Sequence, residues 1–388
     1  MERFEVRVED SVLEDLRERL ARARYPGELD AAGWDYGTEL GYLQELCRYW
    51  REEYDWRAEE ARLNRFDHYR TEVASPEGPL RVHFIHQRSP VEDALPLLIT
   101  HGWPGSVFEF HKIIEPLTDP ERFGGRREDA FHVVCPSMPG YGFSDAPRKP
   151  GFDVRAVAET LDALMQKLGY RRYGAQGGDW GAIVTTLLGR LAPERVLGIH
   201  LNMVVAGPPP GDPNPLEGLA PHEARALQDM AAFQKNETGY QQIQGTKPQT
   251  LGYALHDSPV GLAAWIVEKF RTWSDCGGDV ESRFTRDELL TNIMIYWVTG
   301  SITSSMRLYC ETMRAGRFGP ADGRVEVPTG AAIFPKEIIR PPRRWAEAAF
   351  DIRRWTEMPS GGHFAALEEP ELLVEDLRAF FREIRPAR

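Results

Sequence analysis

The chain has 388 residues, 42% of them hydrophobic, enough for one large domain with additions or for two domains around a substantial core. Its formal net charge of −12, with arginines interleaved among acids, argues against nucleic acid or an anionic membrane as a partner. Cys47, Cys135, Cys276 and Cys310 lie too far apart for a metal or redox spacing and read as thiols of a reducing compartment, and nothing else in the sequence implies a metal or a cofactor. Met1-Glu2-Arg3-Phe4-Glu5 has no apolar signal core and no run reaches transmembrane length. The expectation is a soluble cytoplasmic protein. Whether copies associate as a homo-oligomer is left open.

Residues 11 to 24 have a helical pattern, with Val12, Leu13, Leu16 and Leu20 on one face and Ser11 with Glu14 as a capping box. Pro26 ends it. Gly33 to Trp56 is crowded with aromatics between charges and reads as a segment lying on another surface. Residues 66–73 and 80–86, separated by Pro76-Glu77-Gly78, read as a hairpin. Leu95 to Thr100, Ala130 to Cys135 and Val196 to Leu201 are apolar runs of the kind found in buried parallel strands. A helix is expected from Val154 to Leu168, closed by Gly169. The alternation breaks at the proline-rich stretch Gly207 to Pro213, after which helical patterns run to about Gly323. Strand patterns return at Val325 to Phe334 and Phe350 to Trp355, and an amphipathic helix follows Pro370. Strands alternating with helices predict an α/β fold with a mostly parallel sheet, interrupted by a helical insertion.

One stretch organises the rest. Tyr173 to Gln176 can be a strand, Ala182 to Leu191 a helix, and between them stands Gly177-Gly178-Asp179-Trp180-Gly181. A strand, a glycine-flanked nucleophile and a helix make a nucleophile elbow. With Asp179 in place of serine, attack on an sp³ carbon gives an ester whose carbonyl belongs to the enzyme. That ester can be hydrolysed, whereas the ether a serine would form cannot. The carboxylate also needs no base to activate it. His101-Gly102-Trp103-Pro104 follows an earlier strand, where this fold keeps a second oxyanion donor, so the Trp103 and Trp180 N–H groups are the candidate oxyanion hole. His363, on Gly361-Gly362-His363-Phe364 after the last strand, is in the right chain order for the base. Glu337, after the preceding strand, is the candidate acid, with Asp351 and Glu347 as rivals. A leaving alkoxide needs a proton donor, and Tyr240, Tyr253, Tyr296 and Tyr309 of the inserted block are available.

These motifs together make the chain resemble the epoxide hydrolases of the microsomal type. The resemblance runs from Gly33-Trp34-Asp35-Tyr36-Gly37 and Tyr54-Asp55-Trp56-Arg57 through His101 to Ser106 and Gly177 to Gly181, and on to Gly361 to Ala366. It implies an α/β-hydrolase fold: an N-terminal meander over residues 1–62, core segments at 63–205 and 325–388, and an α-helical cap at 206–324. It implies Asp179 as nucleophile, His363 as base and Glu337 as acid. From the four phenols it selects Tyr240, in Thr238-Gly239-Tyr240-Gln241, and Tyr309, in Ser304-Ser305-Met306-Arg307-Leu308-Tyr309, as the ring-opening pair. The mammalian microsomal members begin with a membrane anchor. This chain starts at the meander, so no anchor is expected. The partners expected are water and an apolar epoxide, since cap and meander are rich in Leu, Trp and Phe. The readings set against this are a haloalkane dehalogenase, which also uses an aspartate elbow, and a ligand-binding protein that has lost its chemistry.

Overall fold

A computed structural model of the protein describes residues 1–319 and 323–385; residues 320–322, inside the expected cap, and 386–388 lie outside the described residues. The strands are β1 Glu2–Arg3, β2 His68–Val73, β3 Leu80–Gln87, β4 Leu95–Thr100, β5 Phe131–Pro136, β6 Tyr173–Gly177, β7 Val196–Leu201, β8 Val325–Ile333 and β9 Phe350–Glu357. They form one sheet in the order β1-β2-β3-β5-β4-β6-β7-β8-β9. The β2–β3 hairpin pairs His68 with Ile85 through Val73 with Leu80. From β5 to β9 the neighbours are parallel. β5 and β6 are buried along their whole length, as central strands of a parallel sheet with both faces covered are.

The helices are α1 Asp10–Ala21, α2 Leu40–Glu52, α3 Trp56–Leu63, α4 Ile114–Thr118, α5 Val154–Lys167, α6 Asp179–Leu191, α7 Pro221–Asn236, α8 Gly239–Thr246, α9 Pro248–Asp257, α10 Pro259–Trp273, α11 Arg286–Thr299, α12 Ile302–Arg314, α13 Arg343–Ala349, α14 Ala365–Glu368 and α15 Pro370–Ile384. In α5, Asp153 caps the N-terminus by accepting from the N–H groups of Arg155 and Ala156, and Val154, Val157, Leu161 and Leu164 are fully buried. The expected capping box at Ser11 does not form. α1 starts one residue earlier, at Asp10, so Ser11 is already helical, and Glu9 at the cap makes no side-chain bond. α1 also ends at Ala21, before the expected Arg24.

The aromatic N-terminal stretch forms α2 and α3, which pack on α10 and α11 of the insertion. Polar contacts sew them together: Thr38 donates to the Ala264 carbonyl at 2.7 Å, Tyr49 to Asp287 at 2.9 Å, and Tyr54 meets Thr291 at 2.9 Å. β4 sits where the strand order reverses, with β5 on one side and β6 on the other. In open α/β sheets such a reversal opens a crevice at the carboxyl ends of the strands.

A buried network fastens α15 to the sheet. Asp376 accepts from Arg354 and Thr356 of β9, each at 2.6 Å, and lies 2.9 Å from His200 Nε2 of β7. Burial alone would push the Asp376 carboxyl up. The hydrogen bond and charge of His200, with the bonds from Thr356 and Arg354, outweigh it and hold the carboxyl at about 2. A depressed carboxyl contributes stability above its unfolded value of about 4 and loses it as pH falls toward the folded value. Asp376→Ala is expected to cost about 3 kcal/mol at neutral pH. In urea titrations that deficit should shrink between pH about 4 and about 2.

Candidate active site

Asp179, Trp103, Glu337 and His363 all follow the carboxyl ends of parallel strands. The register pairs Ile99 with Gln176 and Thr100 with Gly177, so the loops leaving β4 and β6 emerge side by side. Asp179 opens α6 with φ of 49°, in the left-handed region, a conformation that costs a residue with a Cβ about 1–3 kcal/mol. Close packing holds it there. A Cβ on Gly181 would stand 1.9 Å from the Thr100 carbonyl oxygen, and one on Gly102 would stand 2.0 Å from Asp179 Oδ1. Only glycine at both positions lets the β4 loop and the start of α6 meet.

The Trp103 N–H donates to Asp179 Oδ1 at 2.7 Å. Trp180 is the second residue of α6, where a helix leaves its first N–H groups without intrahelical acceptors. The other carboxylate oxygen, Oδ2, lies 3.3 Å from His363 Nε2, and His363 Nδ1 lies 2.7 Å from Glu337 Oε1. The three side chains expected from sequence are thus brought together. Asp351 and Glu347 are not among them: they pair with Arg353 at 2.9 Å and Arg343 at 2.7 Å. Burial alone would depress the His363 imidazole. The charge of Glu337, hydrogen bonds with Asp179 and Glu337, and the charge of Asp179 together raise it well above its ordinary value. His101 is the opposite case. Burial holds it down to about 4 against the Gly102 carbonyl and the Asp179 charge, and its Nε2 accepts from the Met138 N–H at 3.2 Å. It is a neutral structural histidine.

Tyr240 of α8 and Tyr309 of α12 face the carboxylate, their ring centroids 5.9 Å apart. Trp103 stacks on Tyr240 at 5.3 Å, and the Trp180 indole meets Tyr309 edge-on at 4.7 Å. Burial first, and the charge of Asp179 among other influences, raise both phenols, so each keeps its proton to donate. The other two phenols are elsewhere. Tyr253 is 71% exposed. Tyr296 donates to the Gly105 carbonyl at 2.6 Å. Together with Asn292, which donates to the Pro104 carbonyl at 2.8 Å, it ties the loop carrying Trp103 to α11. With Asp179, the two remaining tyrosines border a slot of about 80 Å³ whose other walls include Ile183, Met203, Val205, Phe318, Ile338 and Ile339.

A second cavity, of about 20 Å³, lies behind the carboxylate and is lined by Glu109, Gln176 and Asn202 as well as Asp179 and His363. That is room for about one water molecule. Gln176 Oε1 and Thr100 Oγ1 border it and have no hydrogen-bond partner among the described residues. Sequence patterns do not nominate Glu109. Its one signal is a carboxylate set among Val107, Phe108 and Phe110, a polar group in an apolar run just past the Trp103 loop. Burial pushes the Glu109 carboxyl up to about 8, with the His363 charge lowering it and the Asp179 charge raising it.

Two family models match the chain: the epoxide hydrolase N-terminus over residues 1–110 and the α/β-hydrolase fold over residues 96–293. A putative epoxide hydrolase of Stigmatella aurantiaca is 48% identical over 98% of this chain and 85% of its own length. The chain belongs to the epoxide hydrolase family. Epoxide hydrolase 1 of Oryctolagus cuniculus is 42% identical to this hydrolase over 97% of the chain and 88% of that protein. The crystal structure of juvenile hormone epoxide hydrolase from the silkworm Bombyx mori superposes with a TM-score of 0.90 at 33% identity, covering 99% of this chain and 94% of that one. These relatives favour neither the dehalogenase nor the ligand-binding reading. Among the described residues, no helix of the enzyme is long and apolar enough to cross a membrane.

A raised carboxyl has a definite linkage. Glu109 stays protonated in the folded enzyme while its unfolded counterpart ionises above about 4, so folding stability is lost as pH rises from there through about 8. Glu109→Gln keeps the shape and removes the titration. Melting temperatures measured across this range should fall for the wild type relative to the variant, and parallel curves would show that the carboxyl is ionised throughout.

Proposed function

We propose that this epoxide hydrolase opens an apolar epoxide with Asp179 and releases the vicinal diol by hydrolysing the resulting ester. The observation that carries the reading is the division of the Asp179 carboxylate. Oδ1 is held by the Trp103 N–H, and Oδ2 is turned toward His363.

In the first step Oδ2 forms a bond to an epoxide carbon, the ring C–O bond breaks, and its electron pair goes to the oxygen. Tyr240 and Tyr309, across the slot, donate hydrogen bonds to that oxygen and supply its proton. The apolar walls take the substituents of the ring. Esterification makes Asp179 neutral. This removes two of the influences that hold the His363 imidazole protonated, so the imidazolium gives up a proton that restores the phenol. His363 is a base only after the first step.

In the second step water attacks Cγ of Asp179 from the cavity lined by Glu109 and Gln176. His363 takes its proton, and Glu337 holds the ring orientation and supports the imidazolium that forms. The Trp103 N–H, already on Oδ1, stabilises the oxyanion as the carbonyl becomes tetrahedral, together with the Trp180 N–H at the start of α6. Collapse breaks the bond between Cγ and the substrate oxygen, which leaves as the diol with the remaining proton of the attacking water, and the Asp179 carboxylate stands again beside protonated His363, which is the starting state. Neither step calls on a metal or an organic cofactor.

Tyr240→Phe or Tyr309→Phe should each slow ester formation by about tenfold or more, and the double variant should lose nearly all turnover of an apolar epoxide. Stopped-flow rates of ester formation measure this. A double variant that turns over at the wild-type rate would remove both phenols from the mechanism.

A further inference from the structure

Lys269 of α10 is buried, with 5% of its surface exposed, a rare state for a lysine. Its ammonium stands 4.8 Å from the centroid of the Tyr240 ring and 5.9 Å from that of Trp273. The Tyr240 ring is also stacked by Trp103 at 5.3 Å, and Trp273 lies tilted at 5.2 Å. Trp273 in turn meets the His363 ring edge-on at 5.1 Å, and its carbonyl accepts the His363 N–H at 2.9 Å. The charged neighbours of the ammonium are Glu268, which pairs with it, and Glu237, whose carboxyl feels the Lys269 charge. Packing needs no cation in this aromatic corner, since a methionine would fill the same space at less desolvation cost.

We propose that Lys269 is a positioning residue for ring opening: its ammonium, seated on the Tyr240 ring, sharpens that phenol as a hydrogen-bond and proton donor to the epoxide oxygen. The inference rests on the reading of Tyr240 given above. A cation over an aromatic face draws density from the ring and favours the form with more negative charge on oxygen. When the ring C–O bond breaks, the oxygen takes the Tyr240 proton and the phenol becomes a phenolate. That charge forms in a buried place, where desolvation opposes it. Lys269, which does not line the slot, supplies the compensating charge, and the proton returns from the His363 imidazolium. The ester-hydrolysis step makes no charge on Tyr240, so Lys269 has no part in it.

The test separates the two steps by stopped-flow in Lys269→Met, Lys269→Arg and Glu268→Gln, each in wild-type and Tyr240→Phe backgrounds. Lys269→Met should slow ester formation on the order of tenfold and leave ester hydrolysis within about twofold. Lys269→Arg should recover most of the loss. In the Tyr240→Phe background Lys269→Met should add no further cost. Glu268→Gln, at a partly exposed site, removes the carboxylate that offsets the ammonium and should speed ester formation, which provides a readout even if Lys269→Met fails to fold. Equal slowing of both steps, the same cost in the Tyr240→Phe background, or slower ester formation in Glu268→Gln would overturn the proposal. Failure of the wild-type enzyme to make diol would instead sink the epoxide reading itself.

Discussion

The site depends on one tight contact, that of the β4 loop against the start of α6. Asp179 takes a left-handed φ, and Gly181 and Gly102 leave no room for a Cβ on either side of it. The closeness that forbids side chains is what lets the Trp103 N–H reach Oδ1 at 2.7 Å. The placement of Asp179 and its hydrogen bond from the Trp103 N–H are therefore a single packing event. Any change that separates the two loops removes both.

The helical insertion does more than cover this contact. α11 pins the Trp103 loop through Asn292 and Tyr296, and the end of α10 receives the His363 backbone through the Trp273 carbonyl. α8 and α12 bring the two phenols over the carboxylate. The N-terminal helices grip α10 and α11 from outside. The positions of Asp179, His363 and the two phenols are thus mechanically linked, although they come from segments far apart in the chain. The electrostatics follow the same geometry. His363 is raised by two carboxylates in the resting state, and the first step of the proposed mechanism neutralises one of them.

Much of this was legible in the sequence because the constraint is local. An aspartate between glycines, at the end of a strand and before a helix, has few structural meanings, and the loop after β4 must then supply the donor. Chain order sufficed to nominate His363 and Glu337, since parallel strands present their carboxyl ends on one edge. What could not be read were contacts between distant segments. Four phenols were equivalent by pattern, and the family resemblance alone chose Tyr240 and Tyr309; the physical reason that sets Tyr296 apart, a hydroxyl already bonded to Gly105, lies in the fold. Glu109 looks like an ordinary surface charge until the fold turns it into the cavity beside Asp179, and Lys269 until the fold buries it, and the Ser11 capping box failed because α1 begins a residue early. Local patterns carry the turn chemistry, whereas burial of a charge is a property of the whole chain.

The central claim is a covalent ester on Asp179, formed without a base and hydrolysed with one. His363→Gln isolates it. The variant should react once with an apolar epoxide that the wild type converts to diol, and then stall. Intact mass spectrometry should find the protein heavier by one whole substrate, and peptide mapping should place that mass on Asp179, since ring opening expels no fragment. Absence of the adduct, with the variant folded and the wild type active on the same epoxide, would contradict the two-step account and leave direct attack by water in its place.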